Sequence, residues 1–160
     1  MAPEGEVAVA ERGAHRAVVG VDGSPASRAA MQWAIDWVAG AGGGTVDAVH
    51  TWQAPYVYGP MGGALVAVDP VPFEVAAKQA LGAAVEAVEP PAGVDLAALL
   101  VEGPCAQSLL DLAVGADLLA LGTRGRGGFA GLLLGSVTQQ CLHHATCPVV
   151  VLPDPKADDD

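Results

Sequence analysis

The chain has 160 residues, with 18 acidic against 7 basic side chains and a net charge of −11. That balance excludes a general nucleic-acid surface, which needs clustered Lys and Arg to neutralise phosphates. Hydrophobic residues make up 52% of the chain but aromatics only 4%, so a core of Ala, Val and Leu is expected, in one domain burying about 68–70% of its unfolded surface.

Residues 1–14 read as a loose leader, acidic and poor in apolar residues, with no signal- or transit-peptide pattern. The first strand is expected over HRAVVGVD, His15 to Asp22, followed by Gly23. Ser24 then suits an N-cap and Pro25 a first helical position. The helix that follows, about Ala26 to Ala39, sets Ala30, Trp33, Ala34, Trp37 and Val38 at helical spacing before Gly40 to Gly44 end it. A second strand covers Thr45 to Thr51. The stretch from Gln53 to Val71 is rich in Pro and Gly and reads as a long loop, a length often tied to function or mobility. A helix from Phe73 to Val88 stops before Pro90-Pro91, and a third strand lies near Asp95 to Val101. Pro104 opens a helix ending near Gly115, and a fourth strand spans Asp117 to Leu121. The last helix covers Gly135 to Ala145, and PVVVLP, Pro148 to Pro153, is the final strand. Residues 154–160 hold Asp154 and Asp158 to Asp160 and read as an acidic, disordered tail. No apolar run reaches the roughly 18 residues of a membrane span.

Strands and helices alternate, which predicts an α/β domain over residues 15–153: a Rossmann-like parallel sheet of five strands with helices on both faces. With the common strand order 3-2-1-4-5, the order reverses between strands one and four, and ligands bind at such a switch point, at the carboxyl ends of the strands. Asp22-Gly23-Ser24 follows strand one. The glycine-rich stretch from Gly122 follows strand four.

That stretch, LGTRGRGGFAGLLLGS, holds six glycines and two arginines. It is either a long turn or a backbone opened for a phosphate. Glycine permits positive φ and close approach, successive N–H groups form an anion nest, and a helix starting near Gly135-Ser136 would add its own amides. Arg124 and Arg126 either screen a bound phosphate or are solvated loop charges. Asp22 either caps a turn, accepts a hydrogen bond from a ribose hydroxyl, or helps hold a metal ion. No Gly-Lys-[Ser/Thr] follows the glycines, which argues against a fast phosphotransferase or NTPase. His50 and the adjacent pair His143 and His144 read as structural, since neighbouring histidines on a helix diverge by about 100°. Ser136 lacks a nucleophile-elbow pattern, and Cys105, Cys141 and Cys147 fit neither zinc-site nor redox spacing, so they read as buried thiols of a reducing cytoplasm.

Taken together, these residues resemble the universal stress protein family. Its ATP-binding members carry G-x2-G-x9-G-[S/T], and Gly122, Gly125, Gly135 and Ser136 meet that spacing. The flanking VTQQCLHHATCPVVVLP and the opening VVGVDGSPASRAAMQWA also resemble the family. The resemblance implies an ATP site built from Gly20, Val21, Asp22, Thr51, Gly122, Arg124, Gly125, Gly135, Ser136 and Val137. Thr51 would contact adenine through its backbone, Gly122 and Gly125 would line the ribose and phosphate path, and Gly135 to Val137 would close on the triphosphate. Mg²⁺ would be held through the phosphates, with Asp22 a possible ligand, and AMP or a cyclic nucleotide could replace ATP. It also implies a homodimer through Val149 to Leu152, no catalytic residue, no membrane or nucleic-acid partner, and a cytoplasmic regulatory or stress-response role involving a further protein partner. The alternatives are a slow ATPase or phosphotransfer enzyme using Asp22, and a nucleotide-free dimerisation module.

Overall fold

The computed structural model describes residues 14–59, 62–125 and 133–155. The expected leader up to residue 13, Arg126 with the following glycines, and the acidic end from residue 156 lie outside the described residues. In chain order the elements are β1 (His15–Gly20), α1 (Pro25–Gly40), β2 (Gly44–Trp52), β3 (Tyr56–Tyr58), β4 (Leu65–Ala67), α2 (Val71–Glu86), β5 (Val94–Glu102), α3 (Cys105–Ala113), β6 (Leu118–Gly122), α4 (Ser136–His144) and β7 (Val149–Leu152).

Five strands form one parallel sheet in the order β5-β2-β1-β6-β7. Counting only these strands, this is the expected order 3-2-1-4-5. The chain grows from β1 to β2 and β5 on one side, then returns to place β6 and β7 on the other. Side chains alternate across each strand, and two cores result. Ala17, Val19 and Val21 pack with Ala30, Ile35, Val38 and Leu81 under α1 and α2. Val18, Leu119 and Leu121 pack with Leu109, Ala113 and Cys141 under α3 and α4. Trp33 and Trp37 are partly buried against the first of these cores, as their helical spacing implied.

Local signals account for the element ends. The Ser24 hydroxyl accepts a hydrogen bond from the Ser27 N–H at 3.1 Å and Pro25 opens α1, so the predicted cap forms. β1 stops at Gly20, two residues short of the expected Asp22, because Asp22 turns the chain toward the helix: its carboxylate accepts from the Ser24 N–H at 2.9 Å. α2 starts and ends two residues earlier than expected. The region 53–71 is not a plain loop, since β3 and β4 pair antiparallel, Tyr56 opposite Ala67 and Tyr58 opposite Leu65. Its sequence hides the pairing because Tyr56, Val57, Tyr58, Leu65 and Val66 are all exposed, so no one-sided burial leaves a period-two signature.

At the amino ends of the strands, Arg16 donates to Asp47 through Nε at 2.9 Å and to the Leu112 carbonyl at 3.0 Å. This clamp ties β1, β2 and the end of α3 far from the carboxyl ends.

Two glycines set how closely the layers approach. A Cβ at Gly20 would lie 2.8 Å from Leu121 Cδ2, and one at Gly122 would lie 2.7 Å from Ala26 Cβ and 3.1 Å from the Ser27 nitrogen. Gly40, at the end of α1, faces open space. Gly122→Ala should therefore lower the unfolding free energy by about 1–3 kcal/mol through overpacking. Gly40→Ala should leave it unchanged or raise it by about 0.4–1 kcal/mol. Urea titrations of the two variants check the contrast.

Candidate functional site

The carboxyl ends of β1 and β6 flank the point where the strand order reverses, and a cavity of about 470 Å³ opens there. All ten residues singled out in the sequence line it: Gly20, Val21 and Asp22 after β1, Thr51 on β2, Gly122, Arg124 and Gly125 after β6, and Gly135, Ser136 and Val137 at the start of α4. The structure thus brings together four stretches far apart in sequence.

Each stretch is fixed by backbone bonds. Val21 N–H donates to the Val49 carbonyl at 2.8 Å, holding the end of β1 against β2. Ser27, which is buried, takes the Asp22 N–H at 3.4 Å and donates its hydroxyl to the Ser24 carbonyl at 3.0 Å. Past β6, the Thr123 N–H donates to the Leu152 carbonyl at 2.8 Å, and the Thr123 carbonyl accepts from the Gly135 N–H at 2.7 Å. That second bond draws the far end of the glycine stretch back onto its start. Thr138 then donates its hydroxyl to the Gly122 carbonyl at 2.8 Å, anchoring the first turn of α4 beside β6.

The glycines provide the expected close approach but not the expected positive φ. Gly122, Gly125 and Gly135 are absent from the positive-φ positions, which near the site include Gly23 at 82°. Close approach explains the first two: Gly122 presses on α1, and a Cβ at Gly125 would stand 2.8 Å from Asp22 Oδ2. Gly135 is the N-cap of α4 with extended backbone and no side-chain cap, and no acidic residue occupies the first turn. The leading N–H groups of α4, at the cavity wall, therefore meet no side-chain cap and no carboxylate from their own first turn, which suits an anion.

The lining is chemically mixed. Gly122, Gly125 and Gly135 can offer only backbone, Ser136 adds a hydroxyl, Arg124 a guanidinium and Asp22 a carboxylate. Val49, Leu109 and Leu121 supply an apolar wall, with His50, Thr51 and Cys105 adding polar atoms. The sequence reading missed Ser27, Val49, His50, Cys105, Leu109, Leu121 and Thr138 as lining. Thr138 alone carried a usable signal, a hydroxyl two residues into the helix opened by Gly135-Ser136. His50 proves structural in part: its Nδ1 lies 2.6 Å from the Val21 carbonyl, tying β2 to the floor. His143 and His144 are exposed in the last turn of α4. Among the described residues, no group of three or more His, Cys, Asp or Glu could hold a metal ion, and no helix is long and apolar enough to cross a membrane.

Comparison with known proteins follows the same architecture. The model of the Universal stress protein family matches residues 13–153. A universal stress protein of Mycobacterium tuberculosis is 33% identical over 138 residues, covering 84% of this chain and 44% of the relative. One of Thermus aquaticus is 44% identical over 57 residues, 34% of this chain and 42% of the relative. The chain thus spans less than half the length of these curated relatives. The universal stress protein UspA from Lactobacillus plantarum superposes with a TM-score of 0.70 at 24% identity, covering 87% of this chain and 97% of that one. A crystal structure of a universal stress protein in complex with cAMP gives a TM-score of 0.53 at 26% identity, covering 88% and 98%.

The three thiols lie around α3 and α4. Burial pushes the Cys105 thiol up; a hydrogen bond with the Thr51 side chain works the other way, and the Asp22 charge adds to the rise. Cys141, wholly buried, is raised from 9.0 to about 11 by burial and then by Cys105. In the unfolded chain Cys141 ionises near its ordinary value, whereas the folded state holds it protonated. The stability this confers is complete below about pH 9 and is lost as pH rises through about 11. The stability gap between wild type and Cys141→Ala should therefore shrink from pH 9 to pH 11, as read by urea midpoints at each pH.

Proposed function

The chain belongs to the universal stress protein family, and from that premise we propose that it is an adenine-nucleotide-binding regulatory module that takes ATP with Mg²⁺. The carrying observation is the switch-point cavity, where all ten sequence-selected residues meet the uncapped start of α4. The relative solved with cAMP supports a nucleotide as the ligand class, and AMP or a cyclic nucleotide suits the same cavity.

The residues fit the ligand. Val49, Leu109 and the backbone of Thr51 would hold the base, with Asp22 and Gly125 available to the ribose. The leading amides of α4, the Ser136 hydroxyl and the Arg124 guanidinium would take the phosphates, as donors matched to phosphate oxygens. Mg²⁺ would arrive with the phosphates and supply charge neutralisation, with Asp22 the one carboxylate of the described lining that could join in holding it. The loop bonds formed by Thr123 keep these donors in place before any ligand arrives.

Binding without turnover is the preferred reading. Among the described lining residues there is no lysine to draw charge off a transferring phosphoryl group, and Asp22 is the one carboxylate. The Asp22 carboxylate beside the Gly125 backbone supports a second reading, slow ATP hydrolysis with Asp22 orienting water. A nucleotide-free dimerisation module would have no use for the open start of α4.

The same proposal includes a homodimer through β7 in the cytoplasm. β7 ends the sheet, and Val149 to Leu152 are each partly exposed, an apolar edge that pairing with a twin would cover. The chain would then act by presenting a nucleotide-dependent surface to a protein partner.

The test is nucleotide release on denaturing the purified protein, followed by titration with ATP–Mg²⁺, AMP and cAMP. Nucleotide binding is expected for the wild type and its loss for Gly125→Val, whose side chain would drive into Asp22. Bound ligand should also protect Cys105 from alkylation, by about tenfold at a free concentration near ten times Kd, while Cys147, outside the cavity lining, is labelled as before. A chain that neither releases nor binds any of the three nucleotides overturns the proposal.

A further inference from the structure

Arg124 lines the cavity, and it is the one permanent cation among the described lining residues. Its guanidinium already faces an anion. Arg124 NH2 lies 3.5 Å from Asp154 Oδ2, with the side chains 39% and 42% exposed. The carboxylate comes from just past the carboxyl end of β7, the sheet's last strand. β6 pairs with β7 so that Gly122 stands opposite Leu152, and the Thr123 N–H bonds the Leu152 carbonyl at 2.8 Å. Residues just past β7 are therefore carried directly alongside the glycine stretch.

Asp154 is also held on a stiff segment. It lies between Pro153 and Pro155. The first has a fixed φ and no N–H with which to extend the ladder, and the second confines Asp154 itself to extended backbone. The two prolines narrow the backbone choices of the segment that carries this carboxylate.

We propose that Asp154 is a selectivity residue of the cavity: it competes with a ligand's phosphate for Arg124, so a phosphorylated ligand binds only by displacing it. The inference rests on the nucleotide reading of the same site. Because the pair is well exposed, its strength is that of a surface ion pair, and the competition it imposes is modest. Its effect falls on ligands that carry phosphate to Arg124. A nucleoside, which lacks phosphate, does not meet it. Displacement also frees the Pro153 to Pro155 segment from the glycine stretch, so the charge of the ligand is felt where the chain leaves β7.

The experiment is calorimetric titration of the full chain with ATP–Mg²⁺ and with adenosine, in the wild type, Asp154→Asn, Arg124→Gln and the double variant. Thermal melts establish that each is folded. The expected result is ATP–Mg²⁺ binding tightened about two- to fivefold by Asp154→Asn, with adenosine affinity unchanged. The gain should vanish when Arg124→Gln is already present. An unchanged ATP–Mg²⁺ affinity in Asp154→Asn overturns the inference, as does a gain that persists without Arg124, which would mark a general field effect. If the wild type binds neither ligand, nor AMP nor cAMP, the nucleotide reading itself falls and the inference with it.

Discussion

The contact on which the site depends is the approach of β6 to the first turn of α1 at Gly122. With the Ala26 Cβ only 2.7 Å from where a side chain would begin, no other residue lets the strand end so close to the helix. That closeness sets the Asp22 turn and the start of the glycine stretch beside each other in the lining of one cavity. Gly20 performs the matching role on the other face, where Leu121 and Leu109 close over it. The two glycines sit on the adjacent central strands, and the alternating cores of Ala, Val and Leu on both faces can pack tightly because no larger side chain props the layers apart.

Around that contact, the polar parts are strapped by backbone. Thr123 is the junction: its N–H bonds Leu152 and its carbonyl bonds Gly135. Thr138 then fixes α4 to the Gly122 carbonyl. The Arg16 and Asp47 pair does comparable work at the opposite end of the sheet, where Asp47 is buried and its charge is met by a guanidinium on the neighbouring strand. The fold is therefore pinned by charge at the amino ends and by backbone at the carboxyl ends.

Much of this was legible in the sequence. Alternating apolar runs and helical spacings gave the five parallel strands and four helices to within two residues at most ends, and the family resemblance, carried by the motif spacing of Gly122, Gly125, Gly135 and Ser136, implied ten residues that the fold then placed together. What the sequence concealed has physical causes. The hairpin of β3 and β4 is exposed on both faces, so its residues carry no alternation to detect. The apolar wall of Val49, Leu109 and Leu121 is indistinguishable from ordinary core until the switch point separates two strand ends. Gly122 and Gly125 were expected to offer positive φ and room for a ligand, whereas the neighbours that require them are Ala26 and Asp22 of the protein itself. Proximity of that kind is a property of the tertiary structure, and one glycine looks like another in a list.

The remaining question is how a chain with a net charge of −11 would hold a phosphate at all. A side-chain solution would need several cations, and the described wall offers Arg124 alone, beside Asp22. Backbone amides escape this conflict. The start of α4 supplies partial positive charge without adding net charge, and that charge acts over the first turn only. The acidic surface then repels anions at long range, with a reach of about 8 Å at physiological ionic strength, while the amides reward only an anion that has entered the cavity. Selectivity would come from geometry at contact distance, and affinity would depend on bound Mg²⁺ to reconcile phosphate with Asp22. In such a site a single carboxylate aimed at Arg124 matters more than one among many cations would, because it engages the only permanent side-chain cation that the described wall contributes.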